Sequence, residues 1–235
     1  MLSLALLLAQ EPAPPGRASD PEFGLSAGAK VRWSTPFGHA DGDVTWASGP
    51  GGAVVVVDDT VAWSDLFHSG WGAELEIAVL MGRTREFQGG MRYGAYLALE
   101  IDHFEGDSVS GDLGGKIRPD DLEMSTIIVG GKGLHTLSET AVAGGRFGIG
   151  AVHYSSVDAT FSGPLVAGVR DEFIEDTWTF ASEFRGHAGV KLGPLALTAG
   201  LGLRVLAPPR EGDRLDMNSG AFWTFDLDLG AELGF

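Results

Sequence analysis

Alternation of apolar and polar residues with a period of two is the dominant pattern of this 235-residue chain. In residues 23–33 the odd positions are Phe, Leu, Ala, Ala, Val and Trp, whereas the even positions are Gly, Ser, Gly, Lys and Arg. Successive side chains of a β-strand point to opposite faces, so this segment has one apolar and one polar face. The pattern recurs in segments long enough for a tilted membrane strand of about 9–11 residues. They are residues 23–33, 71–81, 91–101, 122–132, 141–153, 178–192, 195–205 and 221–235.

The segment 122–132 shows the weakest alternation. Its apolar face is assigned to Leu122, Met124, Thr126 and Ile128, which places Glu123 on the polar face.

The connections between these segments alternate in length. Long connections are residues 34–70, 102–121, 154–177 and 206–220, and short ones are 82–90, 133–140 and 193–194. Long extracellular loops and short periplasmic turns are typical of outer-membrane barrels. The sequence therefore predicts an all-β fold, a closed antiparallel up-and-down transmembrane β-barrel of about eight strands. The apolar run Ala53–Val57 predicts a β-hairpin beyond the membrane; if this hairpin enters the membrane, the barrel has ten strands.

The polar face consists of small residues interrupted by charges of both signs. An eight-stranded barrel is only wide enough inside for side chains to fill it, and buried charges must be paired. We therefore predict that this face points inward, with Glu74 and Glu76 close to Arg32 and Arg92. The predicted interior network is Lys30, Arg32, Glu74, Glu76, Arg92, Glu100, Arg146, Glu183, Arg185, His187, Arg204, Asp226 and Asp228. Asp102, Glu123, Lys191 and Glu232 share this face.

The N-terminal apolar stretch, residues 2–9, is too short for a membrane helix, which needs about 20 residues. It predicts a secretory signal peptide, so residues 1–20 form the signal and a flexible Pro-rich start, and residues 21–235 form the barrel. The tryptophans Trp33, Trp71, Trp178 and Trp223 occur where segments meet long connections, as in an interfacial aromatic belt.

The acidic composition constrains the partners. A net charge of −16 argues against nucleic acid, because phosphate binding requires Lys and Arg. Most of the excess acid lies in the long connections, where pairs such as Asp58-Asp59, Asp120-Asp121 and Asp171-Glu172 offer oxygen ligands to divalent cations. None has EF-hand spacing, and the chain has no Cys. The sequence therefore predicts no cofactor and no defined metal site.

The C-terminus carries the pattern Asp228-x-Gly230-x-x-Leu233-x-Phe235. It resembles the assembly signal of bacterial outer-membrane proteins, which ends in an aromatic residue preceded by alternating apolar positions. Together with the eight segments, it makes the mature chain similar to small outer-membrane barrels of the OmpA/OmpX/OmpW type. This resemblance implies a location in the bacterial outer membrane, with membrane lipid and the barrel-assembly machinery as partners. It implies no enzymatic activity.

One constellation offers a catalytic alternative. His153 and Ser155 share a strand face near the long-connection rim, and Glu172 or Asp171 follows. This arrangement is similar to the outer-membrane lipid A deacylases, although Ser156 stands where that family has Asn. The more ordinary interpretation is polar residues at the water interface. The sequence thus predicts a structural or surface-interaction role, with lipid A or phospholipid deacylation as one alternative and a narrow, porin-like channel for small solutes as another.

Overall fold

The computed structural model describes residues 22–39, 44–49, 52–57, 60–82 and 90–234. No helix in these ranges is long and apolar enough to cross a membrane. The elements in chain order are β1 (Glu22–Phe37), β2 (Val44–Ala47), β3 (Val54–Val57), α1 (Trp63–Leu66), β4 (Gly70–Gly82), β5 (Met91–Phe104), β6 (Val109–Ser110), β7 (Lys116–Pro119), β8 (Leu122–Thr136), β9 (Ala141–Tyr154), β10 (Val157–Gly163), β11 (Val166–Ile174), β12 (Thr177–Leu192), β13 (Leu195–Leu206), β14 (Leu215–Asp216) and β15 (Phe222–Leu233).

Eight long strands close into a barrel in the order β1-β15-β13-β12-β9-β8-β5-β4. Each strand pairs antiparallel with its neighbours, and β1 closes on β15 from Ala27↔Leu233 to Phe37↔Trp223. The prediction of a closed up-and-down barrel of eight strands is therefore confirmed. The ten-stranded alternative is wrong, because β2 and β3 pair in a separate sheet outside the barrel. At the tight turn between β12 and β13, Gly193 adopts a φ of +68°, which favours glycine.

The apolar face of the barrel points outward. Phe23, Leu75 and Leu229 are 73%, 64% and 65% exposed, whereas the alternating residues Glu74 and Asp228 are buried inside. The lumen therefore holds the polar face. The tryptophans Trp33, Trp71 and Trp178 are more than half exposed, and Trp223 is half-buried against Phe37.

Strand β8 corrects one prediction. Leu122, Met124, Thr126 and Ile128 point into the barrel and are buried, and Glu123 lies on the outer face. This segment is apolar on both faces, so its period could not determine its orientation. Pairing decides it instead, because Thr126 lies opposite Glu100 and inner-face residues must share a side of the sheet.

Two small sheets lie beyond the barrel at the end where the long connections emerge. One has the order β11-β10-β7-β6 and the other β14-β2-β3. Together with α1 they form a structure built from all four long connections, which we call the cap. Its core contains Trp46, stacked on Phe161 at 5.2 Å between ring centroids, and this apolar packing continues into the barrel mouth through Trp63 and Phe222, 5.2 Å apart. The cap therefore covers the lumen.

Candidate functional site

The lumen contains a network of buried ion pairs centred on Arg146 of β9. The Arg146 guanidinium contacts Glu74 at 2.5 Å and Glu183 at 2.8 Å, and it also bonds to Glu76 and Glu100. Four strands therefore meet at one side chain.

Towards the cap, Arg204 joins β13 to β15 and β5. It binds Asp226 at 2.8 Å and Asp102 at 2.6 Å, and Asp102 also accepts a hydrogen bond of 2.8 Å from Arg32. Arg185 binds Asp228 at 2.8 Å.

Towards the short turns, two lysines continue the network. Lys30 donates to Glu74 at 2.8 Å, and Lys132 donates to Glu76 at 2.6 Å and to Glu232 at 2.5 Å. The alternation pattern does not predict Lys132 in the lumen. It assigns the even-numbered residues of β8 to the outer face, whereas in the structure they point inward. With the correct parity Lys132 shares the inner face of Thr126.

Some predicted pairs are absent or differ. Glu74 contacts Arg32 at 3.5 Å, but half-buried Arg92 has no carboxylate partner among the described residues and reaches the carbonyl of Gly234 at 3.5 Å. His187 is buried in the lumen, and neither ring nitrogen has a hydrogen-bond partner in the described part of the chain. Glu123, which is exposed outside, does not belong to the network.

Within the described part of the chain, buried side chains occupy the lumen at its mouth, at its middle and near the short-turn end. Phe104, Tyr154 and Phe222 fill the barrel mouth, the ion pairs fill its middle, and Leu80 and Leu134 are buried near the short-turn end. Because an unpaired charge in this space is very costly, the network holds its side chains in place.

At the rim, each of the three candidate catalytic residues is hydrogen-bonded to a different partner. His153 Nε2 lies 3.0 Å from Asp176 Oδ1, and its ring is 5.0 Å from that of Trp178. Ser155 Oγ donates to the Glu123 carbonyl at 2.9 Å. Glu172 accepts a hydrogen bond of 3.1 Å from Ser156, and no hydrogen bond among described residues joins His153, Ser155 and Glu172. The alternative acid, Asp171, accepts a 2.8 Å bond from the indole of buried Trp46.

The acidic pairs of the cap are partly neutralised by arginine. Arg170 donates to Asp158 at 3.0 Å and also binds Asp120. The hydrogen bond to Asp158 and the charge of Asp120 raise the pKa of the Arg170 guanidinium above its ordinary value. Asp58 and Asp59 lie outside the described residues, and within the described ranges no group of three acidic or histidine side chains is arranged to hold a metal ion.

The C-terminal signature lies on β15 and beyond it. Asp228 points into the lumen and Leu233 points outward. A methyl group on Gly230 would lie 2.4 Å from Lys30 Cγ, so glycine makes room for that lysine. Phe235, like the predicted signal in residues 1–20, lies outside the described residues.

Comparison with known proteins adds similarities of overall shape. No protein-family model and no curated protein sequence matches the chain. Among solved structures, neisserial surface protein A is 10% identical with a TM-score of 0.42, and the match covers 92% of this chain and 99% of that one. The attachment invasion locus protein Ail of Yersinia pestis is 9% identical with a TM-score of 0.36, covering 89% and 98%. The Escherichia coli outer membrane protease OmpT is 12% identical with a TM-score of 0.42, covering 92% and 96%. These values are too low to transfer a function.

Proposed function

We propose that the protein is an outer-membrane barrel that displays a folded, acidic cap for contacts at the bacterial cell surface. The observation that carries this proposal is the continuous outer wall of exposed apolar side chains on all eight barrel strands. Soluble monomers rarely expose a contiguous apolar patch larger than a few hundred Å², on the order of 300–600 Å². A lipid bilayer covers such a wall, because a closed barrel satisfies every backbone hydrogen bond internally.

The aromatic belt and the lengths of the connections support an orientation. Trp33, Trp71 and Trp178 are exposed on the outer wall at the cap end, where such residues mark the membrane–water interface. Because long loops of outer-membrane barrels are extracellular and short turns periplasmic, the proposed orientation has the cap beyond the outer leaflet and the short turns in the periplasm.

The cap supports a role in binding. Its strands and buried tryptophans form a defined surface from connections that would otherwise be loose loops. Among the described residues of the cap, exposed acidic side chains outnumber exposed basic ones. The acidic ones include Glu105, Asp112, Asp121, Asp213 and Asp216. Complementary charge accelerates and orients association, so we propose that its partners are cationic molecules.

The chain has no Cys, which allows a direct test of orientation. Leu165 in the cap is 86% exposed, and Leu137 at the short-turn end is 58% exposed. In intact cells, a membrane-impermeant maleimide should label Leu165→Cys and not Leu137→Cys, whereas lysed cells should label both. Equal labelling of both variants in intact cells would contradict the proposed topology.

A second measurement tests membrane insertion itself. The purified chain should require detergent, show β-structure by circular dichroism, and migrate differently in gels with and without boiling. A chain that stays soluble and monomeric without detergent would refute the barrel's membrane assignment.

A third measurement tests the cationic partner. A fluorescent octalysine peptide should bind the detergent-solubilised protein, weaken as salt rises, and bind less well to the Asp213→Asn/Asp216→Asn variant. Absence of binding at low salt would remove the charge-based part of the proposal.

A further inference from the structure

Two turns at the outer end of the larger cap sheet carry exposed leucines. Leu113 in the β6–β7 turn is 66% exposed, and Leu165 in the β10–β11 turn is 86% exposed. The other ends of β7 and β10 lead within a few residues into the barrel strands β8 and β9, so both turns lie at the end of the sheet far from the barrel. Tight turns favour Gly, Pro, Asn, Asp and Ser, and a leucine stabilises a fold only where it is buried. Packing of the cap therefore does not explain these two leucines.

The two turns are in contact and hold their leucines in place. The β6–β7 turn is closed by a hydrogen bond of 2.9 Å from the Gly111 amide to the Gly115 carbonyl. In the β10–β11 turn, the ring of Pro164 fixes the backbone immediately before the leucine. A methyl group on Gly114 would lie 3.6 Å from Pro164 Cγ, which is an ordinary contact distance. The turns therefore present one surface, the cap tip, which consists of Leu113, Gly114, Pro164 and Leu165.

Carboxylates border the cap tip. Asp112 directly precedes the first leucine and is exposed. The β10–β11 turn lies against β3, because a methyl group on Gly163 would be 3.6 Å from Val55 Cγ2, and the sheet of β3 carries exposed Asp216 on β14. Lys116 is an exposed base at the start of β7, but acidic side chains outnumber basic ones across the described part of the cap. An apolar surface is thus set in an acidic one.

The surrounding charge selects the partner of this apolar surface. Exposed apolar patches with a polar border mark contacts with proteins or membranes. A second copy of the chain would bring its own acidic cap against the first, and an anionic lipid surface would be repelled in the same way. A peptide with one apolar and one cationic face satisfies both the leucines and the carboxylates.

We propose that the cap tip is a docking surface for a cationic amphipathic peptide segment. Leu113 and Leu165 contact the apolar face of that segment, and its basic residues lie over the carboxylates around the tip. This inference rests on the cationic partner proposed above and specifies its second property, an apolar face. Because the two turns are already held in place, little ordering of the cap opposes binding.

The experiment uses the full chain folded in detergent, and fluorescence anisotropy measures the Kd of two labelled peptides against a blank of empty micelles. One peptide is octalysine; the other has the same number of lysines and an equal number of leucines that form one face of a helix. Leu113→Ser/Leu165→Ser should raise the Kd of the amphipathic peptide by roughly tenfold or more and leave that of octalysine unchanged. The matched control Leu137→Ser replaces an exposed turn leucine at the other end of the barrel and should bind both peptides as the wild type does.

Cross-linking locates the contact in the unaltered protein. The amphipathic peptide, carrying a photoactivatable leucine analogue, should cross-link to residues 111–115 and 163–166. Cross-links to the outer wall of the barrel alone overturn the inference, as do equal Kd values for the wild type and Leu113→Ser/Leu165→Ser in protein that shows the gel shift of a folded barrel. Self-association of the wild type that the double variant abolishes, with peptide binding unchanged, also overturns it and assigns the cap tip to a second copy of the chain.

The charge-based proposal fails in a different way. Asp213→Asn/Asp216→Asn should weaken the binding of both peptides, whereas the serine variant weakens only one. Absence of octalysine binding at low salt removes the cationic partner itself. If octalysine binds and the leucines of the second peptide add no affinity, only the inference about the cap tip is overturned.

Discussion

Replacing Arg146 by methionine removes a cation that four lumenal carboxylates share. The contacts are with Glu74, Glu76, Glu100 and Glu183. Arg146 is 2% exposed, and the four carboxylates are buried as well. Water therefore does not solvate the carboxylates that lose their partner. Removing one partner of a buried ion pair costs about 3–5 kcal/mol. Because several carboxylates lose the same cation, we expect a value near the upper end, about 5 kcal/mol.

Urea-induced unfolding from lipid vesicles, followed by tryptophan fluorescence, measures this free energy of unfolding. The matched control is Arg210→Met in the cap, where Arg210 binds Glu175 at 2.8 Å but its side chain is 71% exposed. Exposed ion pairs contribute about 0–1 kcal/mol, so this variant should remain close to the wild type.

A double variant tests the cause of the loss. If uncompensated negative charge is the reason, Arg146→Met combined with Glu183→Gln should recover part of the stability lost by Arg146→Met alone. A free energy of unfolding for Arg146→Met within about 1 kcal/mol of the wild type would refute the argument that this network is buried and paired.

Three further predictions follow from the cap, the lumen and the C-terminus. Planar-bilayer recordings should show no discrete conductance, since side chains fill the lumen and the cap covers it; stable single-channel steps would contradict this. Trp46→Ala should make the cap sensitive to limited proteolysis while the barrel remains folded, because removing a buried tryptophan costs about 3–5 kcal/mol; unchanged cap resistance would contradict its packing role. Deletion of Phe235 should lower the amount of heat-modifiable barrel in cells while the purified variant still folds in detergent, which would place the defect in assembly; normal assembly would argue against the signature.

The barrel strands could be predicted from the sequence because one face of each strand meets lipid and the other meets a narrow lumen. That difference in surroundings imposes the period of two wherever the two faces differ in polarity. Between Leu122 and Val129 they do not, since the inward residues Leu122, Met124 and Ile128 are as apolar as the outward Ile127 and Val129. The pattern therefore predicts the wrong orientation for β8, and for the same reason it leaves Lys132 out of the predicted network.

The cap depends on pairing between distant segments, which a local pattern does not contain. Only the run at residues 53–57 indicated structure in a long connection; the pairing of β7 with β10 joins two different connections. Adjacency in sequence likewise led from His153 to Ser155, whereas His153 is hydrogen-bonded to Asp176, 23 residues further along the chain.

The third strand of the smaller cap sheet has a consequence for the order of assembly. β14, in the last long connection, pairs with β2 in the first, placing Leu215 opposite Trp46. Contacts between such distant parts of a chain form late, because the intervening loop must first be closed. Here that loop is the barrel itself, which closes when β15 joins β1. A chain halted before closure lacks this strand over Trp46, so the finished cap surface distinguishes a fully assembled molecule from one stalled during insertion.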